Sequence, residues 1–178
     1  SETEEALERL RKMIEDSRRL AKKIREDLRE MIERSRRLAE KVRRDDEKSS
    51  EDLRRVTEEG RDSEVLRKLL EENERLVREI KADLDRSNEE AERLVRRVKR
   101  ELDKSNEELK RLVERIKERG VDKDRLDRLL EEHNRIVKEI KEDLDRLLRE
   151  HNEIVKRIKD DLDRLHEENR RLLEESER

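Results

Sequence analysis

Residues 132–167 read EHNRIVKEIKEDLDRLLR and then EHNEIVKRIKDDLDRLHE, two eighteen-residue blocks identical at thirteen positions. Eighteen residues at 3.6 per turn make five whole turns, so residues n and n+18 point the same way and an apolar stripe on this period runs straight. His133/Asn134 and His151/Asn152 interrupt that stripe once per block. The rest of the chain repeats the same period, and its own polar residues fall where they can meet these interruptions.

Upstream, Leu10, Met13, Ile14, Ser17, Leu20, Ala21 and Ile24 return eighteen residues later as Leu28, Met31, Ile32, Ser35, Leu38, Ala39 and Val42. The echo then breaks at Asp46, and RRDDEKSSED (43–52) is the most polar stretch on any predicted core face. In the middle third, Leu76, Val77, Ile80 and Leu84 recur as Leu94, Val95, Val98 and Leu102, then as Leu112, Val113 and Ile116, while Ser87-Asn88 recurs as Ser105-Asn106. The 3.6-residue spacing marks all three segments as amphipathic helices.

Their ends are marked as well. Ser1 and Glu4 form an S-x-x-E capping box, and Gly60 and Gly120 suit the left-handed position that follows a helix. Asp62 or Ser63 can cap the second helix; Asp122 can cap the third, with Val121 placed to staple onto Leu126. These signals predict helices over 2–59, 63–119 and 123–177 in a single all-α domain spanning 1–178. Short loops make neighbours antiparallel, an up-down-up three-helix bundle of long, nearly untwisted helices, each on the order of 85 Å. Each helix buries an arc of roughly 120–160° and carries no second apolar stripe, which points to a monomer with little surface for a fourth helix.

Only 29% of the residues are hydrophobic and 59% are charged, a balance that alone would suit disorder. Strict periodicity and interspersed charge, with 51 Lys+Arg against 54 Asp+Glu, argue for order instead. A net charge of −3 and the absence of aromatic residues give no footprint for nucleic acid. No apolar run approaches the ~20 residues of a membrane span, and the acidic start SETEEALERL is unlike a targeting peptide, so a soluble chain without an address is expected, cytoplasmic on recombinant expression. Zero cysteines exclude disulfides and thiol chemistry.

Folding the first two helices about the Arg61/Asp62 corner brings together residues whose numbers sum to about 123, and folding at Gly120 does so for sums near 240. Ser35 then meets Asn88, Ser17 meets Asn106 and Ser50 meets Asn73; Asn106 lies opposite Asn134, Asn88 opposite Asn152, and Asn73 opposite His166. Three polar levels are therefore expected, ~27 Å apart. The first holds Ser17, Ser105, Asn106, His133 and Asn134. The second holds Ser35, Ser87, Asn88, His151 and Asn152. The third holds Ser49, Ser50, Asn73, His166 and Asn169, with Asp46 either joining it or solvated. An unpaired buried polar group costs ~1–3 kcal/mol and a paired one is close to neutral, so such levels penalise every register but one.

Catalytic, cofactor and metal readings are weaker. His133 and His151 share a face but cannot reach a common ion, and each level surrounds one His with Ser and Asn, poor ligands for transition metals. A Ser17–His133 pair lacks an open pocket and an oxyanion site, so no enzyme is expected. The D-L-D-R segments at 83–86, 143–146 and 161–164 straddle a core Leu and read as salt-bridged flanks rather than cation sites. Buried imidazoles leave open a response to acid.

With the eighteen-residue repeat, the loops GRDS and GVD, and the Ser/Asn/His levels in view, the chain resembles computationally designed, parametrically generated three-helix bundles with buried hydrogen-bond networks. Natural spectrin-like three-helix repeats are a weaker match, since they normally carry core Trp and irregular spacing. The resemblance implies a heat-stable scaffold with no substrate, cofactor or natural partner. The alternative is a helical interaction module, either a subunit of a larger bundle or homo-oligomer or an acceptor for an added helix, responsive to pH through its histidines.

Overall fold

The computed structural model describes residues 2–60, 63–120 and 122–177. Three helices account for nearly all of them: α1 (Glu2–Glu58), α2 (Ser63–Glu118) and α3 (Lys123–Ser176). No strand occurs among the described residues. Each helix stops one residue earlier than its periodicity suggested. At the end of α1 the Gly60 N–H bonds back to the Thr57 carbonyl, and after α2 the Gly120 N–H bonds back to that of Lys117, both at 3.2 Å. Both glycines take positive φ, 66° and 84°, a conformation that side chains with a Cβ disfavour. At the start of α3, Asp122 Oδ1 accepts from the Asp124 N–H at 3.1 Å, the N-cap that its sequence position indicated. The capping box at Ser1, the Asp62 cap and the Val121 staple lie outside the described residues.

The chain packs as two compact units, each holding a segment of all three helices. Unit 1 comprises Ser1–Met31 and Ala91–Arg149; unit 2 comprises Ile32–Glu90 and Glu150–Arg178. In unit 1, Leu10 and Ile14 of α1, Leu109, Val113 and Ile116 of α2, and Leu126 of α3 close a common core. In unit 2 the equivalent cluster is Val42, Val77, Leu84, Val155, Ile158 and Leu162. Fully burying such a side chain stabilises by about 1.5–3 kcal/mol, so these aliphatic clusters are the main source of cohesion in each unit.

Ion pairs that flank the clusters fix direction and register. In unit 1, Lys99–Asp145, Lys117–Asp127 and Lys141–Asp103 link α2 to α3, and in every pair the residue numbers sum to 244. In unit 2, Lys81–Asp163 and Lys159–Asp85 give the same sum. A constant sum is the mark of antiparallel neighbours. Between α1 and α3 the numbers rise together, from Arg18–Glu132 to Arg25–Asp143 in unit 1, so those two helices run parallel and α2 opposes both.

Candidate functional site

In unit 1 the first polar level centres on His133, completely buried, and Ser17, 6% exposed. Ser105 and Asn106 of α2 are half-buried in the same unit. Neither ring nitrogen of His133 and not the Oδ1 of Asn106 meets a hydrogen-bond partner. Asn134 corrects the expectation, because it is exposed. One residue turns the helix by 100°, and with His133 at the centre of the buried face its neighbour is carried out to water.

Unit 2 holds the other two levels. Ser35 Oγ lies 3.0 Å from His151 Nδ1, a hydrogen bond between α1 and α3 whose direction follows the imidazole tautomer. His151 is only 2% exposed, and its Nε2 has no partner. Ser87, Asn88 and Asn152 are half-buried in the same unit, with the Oδ1 atoms of both asparagines unsatisfied. At the third level Ser50 Oγ donates to Asn169 Oδ1 at 3.0 Å, both residues being buried. Asn73 and His166 are half-buried, and His166 Nε2 sits 3.4 Å from Glu74 Oε1. Ser49 is the second correction: it is exposed, because Ser50, Asp46 and Leu53 take the inward positions of that stretch of α1.

Asp46, left open by sequence, is buried, and its Oδ2 meets no partner. Burial pushes its carboxyl up from 3.8 to about 6; the nearby His166 pulls it down and Glu168 adds to the rise. Burial also lowers the pKa of His133 and of His151, since an imidazolium loses its hydration there. The two histidines are therefore neutral at pH 7 while Asp46 is mostly charged. Leaving several buried polar atoms unpaired costs stability in both units, so the levels are not where the bundle gains its cohesion.

Among the described residues no group of three His, Asp or Glu side chains is placed to hold a metal ion, and no helix is long and apolar enough to cross a membrane. The D-L-D-R segments resolve into diverging ion pairs. Asp83, Asp143 and Asp161 each accept from the Arg three residues on, whereas Asp85, Asp145 and Asp163 each take a lysine across the α2/α3 seam. These cross-helix clamps were missed from sequence. The constant-sum rule of the polar levels, with sums near 240, sets Lys81 opposite Lys159 and Lys99 opposite Lys141, and the clamps appear only at the observed sum of 244.

The aliphatic stripe also needs correcting. Leu20, Leu38, Leu76 and Leu94, assigned to the core by their period, are 36–53% exposed. They lie at the edge of the buried arc on α1 and α2, where the half-buried Leu112 and Met13 border a shared cleft of about 320 Å³ in unit 1.

Among solved structures the chain is similar to one described as a computationally designed three helix bundle, with 17% identity, a TM-score of 0.49, and coverage of 99% of this chain and 89% of that one. No family model and no curated protein matches it.

Proposed function

We propose that the chain is a structural scaffold without natural activity, whose polar levels select one register among the helices. Two cross-helix hydrogen bonds carry this reading: the partly buried Ser35 with His151 and the buried Ser50 with Asn169, each joining α1 to α3 at 3.0 Å. Sliding α1 by one heptad along α3 would set the His151 imidazole against Leu28 or Val42, at ~1–3 kcal/mol for the stranded group, and would put Arg43 or Thr57 in place of Ser50 beside Asn169. Aliphatic clusters would tolerate the same slide with little loss. In this reading stability comes from leucine, isoleucine and valine, specificity comes from the polar levels, and no residue has a catalytic, cofactor-binding or metal-binding role. High heat stability follows from it, because the penalised groups are few beside the buried aliphatic ones.

Register itself is the quantity to measure. The chain has no cysteine, so pairs of introduced cysteines can report it without interference, one pair at matched depth on α1 and α3 and one displaced by a heptad. The parent chain should oxidise only the matched pair. A variant carrying Ser35→Val, His151→Leu, Ser50→Val and Asn169→Leu should oxidise both pairs while melting at a higher temperature. If that variant still oxidises the matched pair alone, the polar levels do not set register and the reading fails.

A further inference from the structure

Two clefts on the α1/α2 side of unit 1, of about 320 and 380 Å³, share Arg9, Leu112 and Arg115 and so form one groove. Its floor is aliphatic: Met13 and Leu112 in the first part, Ala6 and the buried Ile116 in the second. Four arginines line it, Arg9 from α1 and Arg111, Arg115 and Arg119 from α2, against two glutamates, Glu108 in the first part and Glu5 in the second. Among the described residues no carboxylate forms an ion pair with Arg9, Arg111 or Arg115; Glu107, one turn before Arg111, pairs with Lys110 instead.

Elsewhere the eighteen-residue period balances these positions. Arg9 is followed on its own line of α1 by Asp27 and Asp45, and the α2 line reads Arg75, Glu79, Asp83, then Arg93, Arg97, Glu101, then Arg111, Arg115, Arg119. Only the last of these copies lacks an acid, and it is the one whose groove receives an arginine from α1. Like charges four residues apart on a helix repel. The carboxyl end of a helix does favour cations, but that effect is confined to the last turn, which Arg111 and Arg9 lie outside.

We propose that this groove binds a phosphate monoester carrying a short alkyl chain. Guanidinium forks match phosphate oxygens two at a time, and Arg9, Arg111 and Arg115 have no competing partner. Above its second pKa of about 6 the phosphate is a dianion, which balances the excess of four arginines over two glutamates. The chain lies along Met13, Leu112 and Ala6 and removes apolar surface from water. The phosphate thereby supplies the negative charge that Asp27 and Asp45 carry at the equivalent positions of α1.

Octyl phosphate titrated into the full chain at pH 7.5 and low salt, with binding read by calorimetry, tests the proposal. It should saturate one site with a dissociation constant on the order of 0.1–1 mM. Inorganic phosphate and octyl glucoside, which carry the head or the tail alone, should each bind at least ~10-fold more weakly. Arg9→Asp restores the acid of the repeat; it should weaken octyl phosphate by ~10-fold or more while circular dichroism stays fully helical. Arg115→Gln should weaken it by roughly 3–10-fold. Arg36→Gln with Arg157→Gln, in a cleft between α1 and α3 of unit 2, should leave the affinity unchanged. No saturable binding by ~5 mM overturns the proposal. So does an affinity that Arg9→Asp leaves intact, that the unit 2 substitutions reduce as much, or that inorganic phosphate or octyl glucoside alone reproduces.

Discussion

Two stretches of α3 spell the same word, EHN, at 132–134 and 150–152, and each buries its histidine. They do not end in the same state. His151 in unit 2 pairs with Ser35, whereas neither nitrogen of His133 in unit 1 finds a partner although Ser17 is buried nearby. The largest nearby change in volume is on α2. By the register of the Lys/Asp pairs, Leu109 lies within two residues of the depth of His133 and Ala91 within two of that of His151, and both are buried. We attribute the difference to that exchange, since a leucine leaves a neighbouring imidazole less room to shift than an alanine does. An eighteen-residue period sets direction and depth, but a hydrogen bond is decided by tenths of an ångström that neighbouring volumes control.

Exchanging those neighbours is the strongest way to break the comparison. Leu109→Ala removes a fully buried side chain from the unit 1 core and should cost about 2–5 kcal/mol in denaturant unfolding, while giving His133 a nitrogen signal typical of a hydrogen-bonded ring. Ala91→Leu should cost about 1–3 kcal/mol through overpacking and abolish the corresponding signal of His151. Unchanged histidine signals in both variants would show that Leu109 and Ala91 do not govern the pairing.

The third level offers the next largest effect, since it buries a carboxyl where the other two carry none. A group held at about 6 when folded and at 3.8 when unfolded binds more protons in the folded state, so its penalty is fully present above pH 6 and disappears as pH falls below 3.8. Asp46→Leu should therefore stabilise unit 2 by up to about 3 kcal/mol at pH 7.5 and by little at pH 4. An equal gain at both pH values would mean that packing, not charge, explains it.

Replacing the histidines compares the first two levels directly. His133→Leu removes two unsatisfied ring nitrogens from a dry site and should raise stability by about 1–3 kcal/mol at pH 7.5. His151→Leu should gain less, because it also breaks the hydrogen bond between His151 and Ser35. Equal gains in chemical denaturation would erase the distinction between the two levels.

Much of this arrangement is legible in the residues themselves. Glycine at 60 and 120 and aspartate at 122 mark corners and a cap by chemistry that needs no tertiary context, and the stripe at 3.6 residues marks each buried face. What escapes is whatever depends on how wide that face becomes once neighbours close over it. Asn134 and Ser49 sit one residue from buried positions, and a rotation of 100° separates core from water. Leu20, Leu38, Leu76 and Leu94 share the period of the core but lie at its margin, where cover depends on how closely α1 approaches α2. The burial of Asp46 was undecidable from pattern alone, because a break in an apolar echo reads the same whether the odd residue turns inward or outward.

Acid titration of the intact chain should give the smallest effect, because the buried groups oppose one another. His133 and His151 have lowered pKa values, so the unfolded chain binds more protons than the folded one, and their contribution is complete above 6.5 and lost as pH falls through that value. Asp46 does the reverse, relieving its penalty over the interval from about 6 down to 3.8. Between pH 6.5 and 4.5 the two trends run against each other, so the intact chain should respond less than a variant that keeps only one of them. Asp46→Asn removes one side of the balance, so that variant should weaken steadily on acidification. A variant carrying His133→Asn and His151→Asn removes the other and should strengthen over the same range. Thermal melts of the three proteins at pH 7.5 and 4.5 decide the matter: parallel shifts in all three would mean that the surface carboxylates, not the buried groups, control the response to acid.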